Sequence, residues 1–320
     1  HGEAAVLPAP PVPQAEEDER RPAAYNRWRE AEPPRPAASA TEAPAVWVHA
    51  AYPRCGSSTV LSMIEASGSP YDQAVGRIFA LFEPCHGKGD LLSMNLKSRG
   101  CPALLDKILQ CDFHEVMGLW GWYNEHTMVR SHKPYDQTTA ANLCQAADLR
   151  AFKTAGVPML DEGAALLDEH PLLHIVDVVR DPRAILSSWR KTPGMNNETA
   201  GAGLLLQICR GYAAHLNRSS SRLHRLVYED LVRRPAEVMQ HLYAALELPF
   251  GIYQTRWIEK TFSADSDWAF ICEESPYSDC RKSPAEHLER WRVDLPQQEQ
   301  SDFSNDADCQ RVARAYGWKL

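Results

Sequence analysis

The sequence predicts an α/β fold in which a central, mostly parallel sheet is flanked by helices in three layers. A strand-like apolar run over residues 46–52 ends at Pro53, and apolar residues then recur at helical spacing from Val60 onward. A second run, residues 172–179, is almost continuously apolar, which is typical of a strand buried on both faces. With 320 residues, of which 44% are hydrophobic, the chain can bury one large core of this kind.

The composition changes near residue 44. Prolines and the charged run 16–21 leave residues 1–44 with too few apolar side chains to repay the entropy of ordering. We therefore expect a disordered stem rich in Pro, Ala and Glu over residues 1–44 and a folded domain over residues 45–320. The sequence begins at His1 with neither an initiator methionine nor a signal peptide, so we expect a processed or truncated product.

Charge and hydropathy disfavour two classes of protein. The net charge of −8 and the sequence pI of about 5.9 argue against a general nucleic-acid binder, because such proteins are usually basic. No stretch of the sequence approaches the ~20 apolar residues of a membrane span. Membrane attachment is therefore expected only through an anchor absent from this chain.

The segment Arg-Cys-Gly-Ser-Ser-Thr, residues 54–59, joins the first predicted strand to the first helix. A cation, two hydroxyls and the backbone N–H groups of a helix N-terminus together suit a phosphate or sulfate group. The pattern G-x-x-x-x-G-K-[ST] of nucleoside-triphosphate loops is missing, which disfavours the magnesium-dependent version. Taken alone, the segment fits an ordinary strand-helix turn with a serine N-cap equally well.

A second segment follows the apolar run at 172–179. Arg180 stands at the carboxyl end of that predicted strand, where open α/β sheets bind ligands. Ser188 follows within the next helical turns, so both side chains are expected to meet the same anionic group.

The two segments together resemble the sulfotransferases. Residues 52–59, Tyr-Pro-Arg-Cys-Gly-Ser-Ser-Thr, resemble the 5′-phosphosulfate loop of that family, and residues 179–188, Val-Arg-Asp-Pro-Arg-Ala-Ile-Leu-Ser-Ser, resemble its 3′-phosphate motif. The resemblance covers roughly residues 46–250. It implies a P-loop-like fold and an enzyme that uses 3′-phosphoadenosine 5′-phosphosulfate (PAPS) and releases 3′-phosphoadenosine 5′-phosphate (PAP).

The resemblance also assigns roles to residues. Arg180 and Ser188 hold the 3′-phosphate, and Arg54 stabilises charge on the leaving phosphate in the transition state. The 5′-phosphosulfate is held by Arg54, Gly56, Ser57 and Ser58, with backbone N–H groups from Cys55 and Thr59. No metal is needed, because arginine, hydroxyls and helix N-termini neutralise the charge. At Thr59 the family often has a large aromatic residue, so either adenine contact comes from elsewhere or the affinity for the cofactor is weaker.

An acidic-proline pair, Glu83-Pro84, resembles a motif of the carbohydrate sulfotransferases. Glu83 lies 25 positions beyond Ser58, a strand-helix-strand distance, so it can return to the same sheet edge. The resemblance implies that Glu83 takes the proton of the acceptor hydroxyl, with His86 as the reserve base because histidine titrates nearer neutrality. An exposed turn carboxylate is the structural alternative.

Two further segments extend the resemblance. Lys153 lies in the first of them, Ala-Phe-Lys-Thr, residues 151–154. A cation at this position can offset charge on the transferring group, although lysines more often face solvent. Residues 225–231 are predicted as a short strand ending in a turn, with Glu229 and Asp230 structural, and a helix is predicted to begin at Pro235.

The acceptor is expected to be a carbohydrate, either a glycan or a glycosaminoglycan. The Glu-Pro pair, the Val-Arg-Asp-Pro-Arg form and Tyr-Glu-Asp-Leu resemble enzymes that sulfate the 6-hydroxyl of galactose, N-acetylgalactosamine or N-acetylglucosamine. N-glycosylation sequons at Asn197 and Asn217 and abundant cysteine agree with a lumenal Golgi protein of type II topology whose anchor is missing here, or with a secreted one.

Other functions stay open at this point. A sulfotransferase for a small alcohol, a phenol or a protein tyrosine would share both phosphate motifs. A non-catalytic nucleotide-binding or glycan-binding protein could keep the same fold. A P-loop kinase, which needs Mg²⁺ and ATP, is disfavoured by the missing Gly-Lys-[Ser/Thr].

Nine cysteines, none of them in a CxxC pair, favour disulfides plus at least one free thiol over a zinc site. The pairs nearest in sequence, Cys272 with Cys280 and Cys101 with Cys111, are the first to test. The connectivity itself cannot be read from the sequence.

Overall fold

The structure, a computed structural model, describes residues 43–66, 77–85, 101–113, 137–156, 160–192, 201–262 and 287–320. Five strands in these ranges form one sheet: β1 (Ala45–Ala50), β2 (Ile78–Phe82), β3 (Leu149–Ala155), β4 (Leu173–Val179) and β5 (Leu223–Val227). The strand order is β2-β3-β1-β4-β5, and all pairings between these strands are parallel. The predicted α/β fold with a parallel sheet is therefore confirmed.

The helices of the described residues lie between and after the strands. They are α1 (Ser57–Ala66), α2 (Cys101–Leu109), α3 (Gln137–Gln145), α4 (Leu160–Glu169), α5 (Pro182–Arg190), α6 (Ala202–His215), α7 (Tyr228–Arg233), α8 (Pro235–Ala245), α9 (Ile252–Phe262), α10 (Trp291–Asp294), α11 (Gln297–Asn305) and α12 (Ala307–Tyr316). No helix within the described ranges is both long and apolar enough to cross a membrane.

The two faces of the sheet carry separate hydrophobic cores. Side chains alternate between faces along a strand, so Val46 and Val48 of β1 pack into the first core with α1, and Trp47 packs into the second. The first core also takes in α5, α6, α8 and α12, whereas α2, α3 and α4 cover the second. Helices on both faces explain why β1 and β4 are buried along almost their whole length.

The carboxyl ends of the parallel strands meet at one edge of the sheet. The loop 51–56 follows β1, Glu83 follows β2, and Arg180 follows β4 at this edge. Ligands of open α/β sheets bind at such an edge, so the strand order alone brings the candidate residues to a common side.

The segment 225–231 differs from its prediction in part. The strand β5 ends at Val227, and the helix α7 begins at Tyr228 instead of a turn. Two contacts hold α7 in place, because the Tyr228 ring packs on Gly56 and the Glu229 carboxylate accepts the Asp181 N–H at 3.0 Å. The next helix begins at Pro235 as predicted.

Cys101 and Cys111, one of the two pairs to test first, are not bonded to each other. Cys101 opens α2 and Cys111 follows its end, so ten residues at about 1.5 Å per residue keep the two apart. The disulfides are Cys85–Cys101, Cys111–Cys144 and Cys209–Cys309. Cys55 is a buried free thiol. Cys272 and Cys280 lie outside the described residues, as does almost all of the predicted stem.

Candidate active site

The loop between β1 and α1 contains two residues with left-handed backbone conformation directly before the N-terminus of α1. Arg54 and Gly56 both have positive φ, +73° and +89°. A Cβ on Gly56 would lie 2.3 Å from the Tyr228 ring, so glycine is required by the conformation and by the close approach. The first helical hydrogen bond of α1 is donated by Val60 to Gly56, and the preceding N–H groups therefore stand at the positive end of the helix.

The side chains of the two predicted phosphate motifs come together at this loop. Arg54 Nε donates to Ser188 Oγ at 3.2 Å, and Arg180 Nη1 donates to the Arg54 carbonyl oxygen at 2.8 Å. These contacts join residues that are 134 and 126 positions apart in the sequence. Two guanidinium groups beside a helix N-terminus form a cationic cluster suited to phosphate groups.

Tyr228 is part of this cluster, although sequence reasoning did not single it out. Its ring lies under the Arg180 guanidinium, with 4.7 Å between the arginine Cζ and the ring centroid. The same ring also packs against Gly56. The available signal was positional: Tyr228 directly follows β5 and so stands at the same edge as Arg180.

The Cys55 side chain is buried and is not a candidate nucleophile. It is fully buried, and its Sγ lies 2.9 Å from the Tyr52 carbonyl oxygen and 3.4 Å from the Tyr212 hydroxyl. Burial raises the pKa of the thiol to about 12, so it stays protonated at neutral pH. A neutral buried thiol is a poor nucleophile, which leaves the backbone N–H as the group this residue offers.

The arginine that follows Arg180 in the motif has a structural role. Arg183 is buried between the rings of Trp291 and Phe303, with Cζ 3.8 and 4.0 Å from their centroids. Its guanidinium also pairs with Asp181, which caps α5 by accepting the Arg183 N–H. This packing anchors the loop that presents Arg180.

Glu83 forms an ion pair with Lys153 at the ends of β2 and β3. Glu83 Oε1 lies 2.5 Å from Lys153 Nζ, and the Glu83 N–H donates to the Lys153 carbonyl oxygen at 2.8 Å. Glu83 has a φ of +52°, which is uncommon for a residue with a side chain. The Lys153 ammonium also sits 3.9 Å from the centroid of the Phe82 ring.

Electrostatics link this ion pair to the loop between β1 and α1. Lys153 is only 3% exposed, and burial lowers its pKa, while the Glu83 charge acts in the opposite direction. The Arg54 charge lowers the pKa of Lys153 further. The pair and the loop are therefore close enough to interact at one edge of the sheet.

The remaining candidate residues are the hydroxyl residues at the start of α1 and the reserve base. Ser57 is buried at the start of α1 and Ser58 is half-buried beside it, and Thr59 is buried in the same turn. The reserve base His86 lies outside the described residues.

The fold is that of an α/β protein with a parallel sheet, and its central strand β1 leads through a short loop into the N-terminus of α1. A model of the sulfotransferase family matches residues 106–251. Human carbohydrate sulfotransferase 1 is 28% identical over 204 residues, which are 57% of this chain and 48% of the relative. Rat carbohydrate sulfotransferase 3 is 25% identical over 194 residues, 53% of this chain and 40% of the relative.

The chain thus spans about half the length of the curated relatives it matches. Among solved structures, mouse sulfotransferase SULT7A1 complexed with PAP has a TM-score of 0.47 and 12% identity, covering 87% of this chain and 89% of that one. The sequence matches confirm that this chain resembles the sulfotransferases, and the named relatives are carbohydrate sulfotransferases.

Proposed function

We propose that this protein transfers the sulfuryl group of PAPS to a hydroxyl of a carbohydrate. One observation carries the proposal: Arg54, Arg180 and Ser188 form a single hydrogen-bonded cluster, and the Glu83–Lys153 pair lies beside it at the same sheet edge. A cluster of cations next to a carboxylate suits a doubly phosphorylated donor and a hydroxyl acceptor.

The donor side follows from the cationic cluster. Arg54 and the N–H groups at the start of α1 would hold the 5′-phosphosulfate, with Ser57 and Ser58 adding hydroxyls. Arg180 and Ser188 would hold the 3′-phosphate. As the bond from sulfur to the bridging oxygen breaks, negative charge grows on the leaving phosphate, and Arg54 is placed to stabilise it.

The acceptor side follows from the ion pair. The acceptor oxygen attacks sulfur in line with the leaving oxygen, and its proton must be taken up as the new bond forms. A carboxylate accepts protons and a lysine ammonium does not, so Glu83 is the base in this proposal and Lys153 positions it. His86 remains the reserve base.

The carbohydrate acceptor is supported by the names of the two relatives. Within that class, the motif resemblance favours the 6-hydroxyl of galactose, N-acetylgalactosamine or N-acetylglucosamine. Three disulfides among the described residues favour an oxidising compartment, and we propose the Golgi lumen.

Calorimetric titration tests the donor part of this proposal first. PAP, adenosine 5′-phosphate and ATP with Mg²⁺ are compared as ligands of the purified protein. We expect tight binding that depends on the 3′-phosphate. A preference for ATP with Mg²⁺ would support a kinase instead, and binding of none of the three would remove the nucleotide site.

A transfer assay tests the reaction. The protein is mixed with PAPS carrying labelled sulfate and with acceptors bearing galactose, N-acetylgalactosamine or N-acetylglucosamine, with and without EDTA. We expect labelled product in both conditions. Tight PAP binding without transfer to any acceptor would favour a non-catalytic binding protein, and strict metal dependence would contradict neutralisation by arginines.

A further inference from the structure

The helix α2 is covalently tied at both ends to the segments that carry Glu83 and Lys153. Its first residue, Cys101, is disulfide-bonded to Cys85, which lies two positions after Glu83. Just beyond its last turn, Cys111 is disulfide-bonded to Cys144 of α3. We call α2 with these two disulfides the α2 brace.

The α2 brace links the two partners of the ion pair into a closed circuit of covalent bonds and non-covalent contacts. From Cys144, α3 ends at Gln145, and only three residues separate it from β3, which carries Lys153. Lys153 then returns to Glu83 through the ion pair and the backbone hydrogen bond. Both partners of the pair are therefore linked through the same helix as well as to each other.

Non-covalent packing makes the α2 brace stiff. Leu105 and Ile108 of α2 are buried in the second core with Phe79 and Leu81 of β2. The buried Arg150 of β3 donates to two carbonyl oxygens, that of Leu109 at 2.7 Å and that of Cys144 at 3.4 Å. One guanidinium thus ties the last turns of α2 and α3 to the strand that carries Lys153.

Two residues of the circuit have unfavourable backbone conformations. Glu83 has a φ of +52° and Cys111 a φ of +57°, although neither is glycine. Residues with side chains persist in this region only where the surrounding structure holds them there. Cys111 is itself an attachment point of the α2 brace, and Glu83 lies two positions before another, Cys85.

We infer that the α2 brace positions Glu83 against Lys153 for the acceptor half of the reaction, and that nucleotide binding does not depend on it. The inference rests on the proposed function. Glu83 follows β2, which pairs with β3 on one side and stands at the end of the strand order of the described sheet. Such a strand has fewer neighbours to fix its end, and the brace supplies the missing constraint.

The phosphate-binding cluster has different supports. Its residues follow the inner strands β1 and β4, and their surroundings belong to the first core. The disulfide on that side, Cys209–Cys309, joins α6 to α12 and is not linked to Glu83 or Lys153. This bond provides a matched control for the loss of a disulfide as such.

The double variant Cys85→Ala/Cys101→Ala tests the inference, with Cys209→Ala/Cys309→Ala as the control. In the test variant we expect kcat for sulfuryl transfer to fall tenfold or more while the Kd for PAP changes less than twofold. In the control we expect a lower melting temperature and a kcat within twofold of wild type below that temperature. An unchanged kcat in the test variant, or a Kd for PAP that rises along with the loss of kcat, would overturn the inference.

Hydrogen exchange at residues 77–85 gives a second readout that needs no catalysis. The Glu83 N–H is bonded to the Lys153 carbonyl oxygen, so its exchange reports whether the end of β2 stays attached to β3. We expect faster exchange in the test variant than in wild type and no such change in the control. If wild type transfers no sulfate, the proposed function fails, and equal exchange in the two variants would separately contradict the brace.

Discussion

The two halves of the candidate site are held in different ways. The half that we propose binds phosphate, called the phosphate-binding half below, consists of loops after inner strands, and its side chains reach each other through hydrogen bonds between Arg54, Arg180 and Ser188. The proposed acceptor half consists of an ion pair between Glu83, which follows the outer strand β2 of the described sheet, and Lys153 of its neighbour β3, and two disulfides support it. An inner strand has partners on both sides that fix its end, whereas the end of an outer strand needs support from elsewhere.

The comparison also separates the expected functions of the two halves. Changes in the phosphate-binding half should alter nucleotide affinity, and changes in the acceptor half should alter turnover. Glu83→Gln and Arg180→Ala test this separation, and Gly56→Ala and Cys55→Ala test the packing behind the phosphate-binding half.

The largest effect is expected for Glu83→Gln. Glutamine keeps the size of the side chain but cannot take up the acceptor proton, so turnover should fall by about 10²–10⁴-fold. The Kd for PAP should stay nearly unchanged, as measured by calorimetry. Glu237→Gln, which alters an exposed carboxylate paired with Arg234, is the control and should leave both quantities unchanged. An unaltered rate in Glu83→Gln would transfer the role of base to His86 or another group.

Gly56→Ala should damage the phosphate-binding half. The added Cβ would meet the Tyr228 ring at 2.3 Å in a backbone conformation of φ +89°, so strain and overpacking together should cost about 2–4 kcal/mol of unfolding free energy. Denaturant unfolding measures this loss. Gly203→Ala is the control, because a Cβ there meets no atom within 4 Å, and it should be neutral or slightly stabilising. Similar stability of the two variants would contradict the close packing of Tyr228.

Arg180→Ala should weaken PAP binding by about 10–100-fold, the range expected for loss of a charge-assisted hydrogen bond to phosphate. The Kd for adenosine 5′-phosphate should change far less, because that nucleotide lacks the 3′-phosphate. Calorimetry with both nucleotides measures the difference. An equal loss for both would remove the assignment of Arg180 to the 3′-phosphate.

The smallest effect concerns pH and the buried thiol behind the phosphate-binding loop. Because burial raises the pKa of Cys55 from 9.0 to about 12, the folded chain keeps this proton after the unfolded chain has lost it. The unfolding free energy should therefore fall as pH rises above about 9, by about 1.4 kcal/mol per pH unit for each such group.

Tyr52, whose pKa is raised to about 12 by burial, acts in the same direction. Lys153, whose pKa is lowered, acts in the opposite direction, because its unfolded form binds more protons. Urea unfolding from about pH 8.5 to about pH 10.5 should show a shallower decline for Cys55→Ala than for wild type. Parallel curves for the two proteins would show that the thiol does not titrate as its burial implies.

Much of the phosphate-binding half could be predicted from the sequence. Its residues lie in two short contiguous segments, each directly after a buried strand, and the carboxyl ends of parallel strands share an edge. The start of α8 at Pro235 could also be predicted, because proline is favoured in the first helical turn.

Other features depended on which strands are neighbours. The pairing of Glu83 with Lys153 joins residues 70 positions apart and exists because β2 lies beside β3. Tyr228 contacts Gly56 because β5 lies beside β4 in the sheet. Cys101 is bonded to Cys85 and not to Cys111, because Cys101 and Cys111 lie at opposite ends of α2.

The sequence by itself determined the class of fold and predicted that Arg54, Arg180 and Ser188 meet at one sheet edge, because hydrophobic periodicity and strand-end motifs are local properties of the chain. The tertiary structure alone decided the partner of Glu83, the position of Tyr228 and the disulfide pairing. These contacts join distant segments, and they follow from strand order and helix packing, which no local pattern encodes.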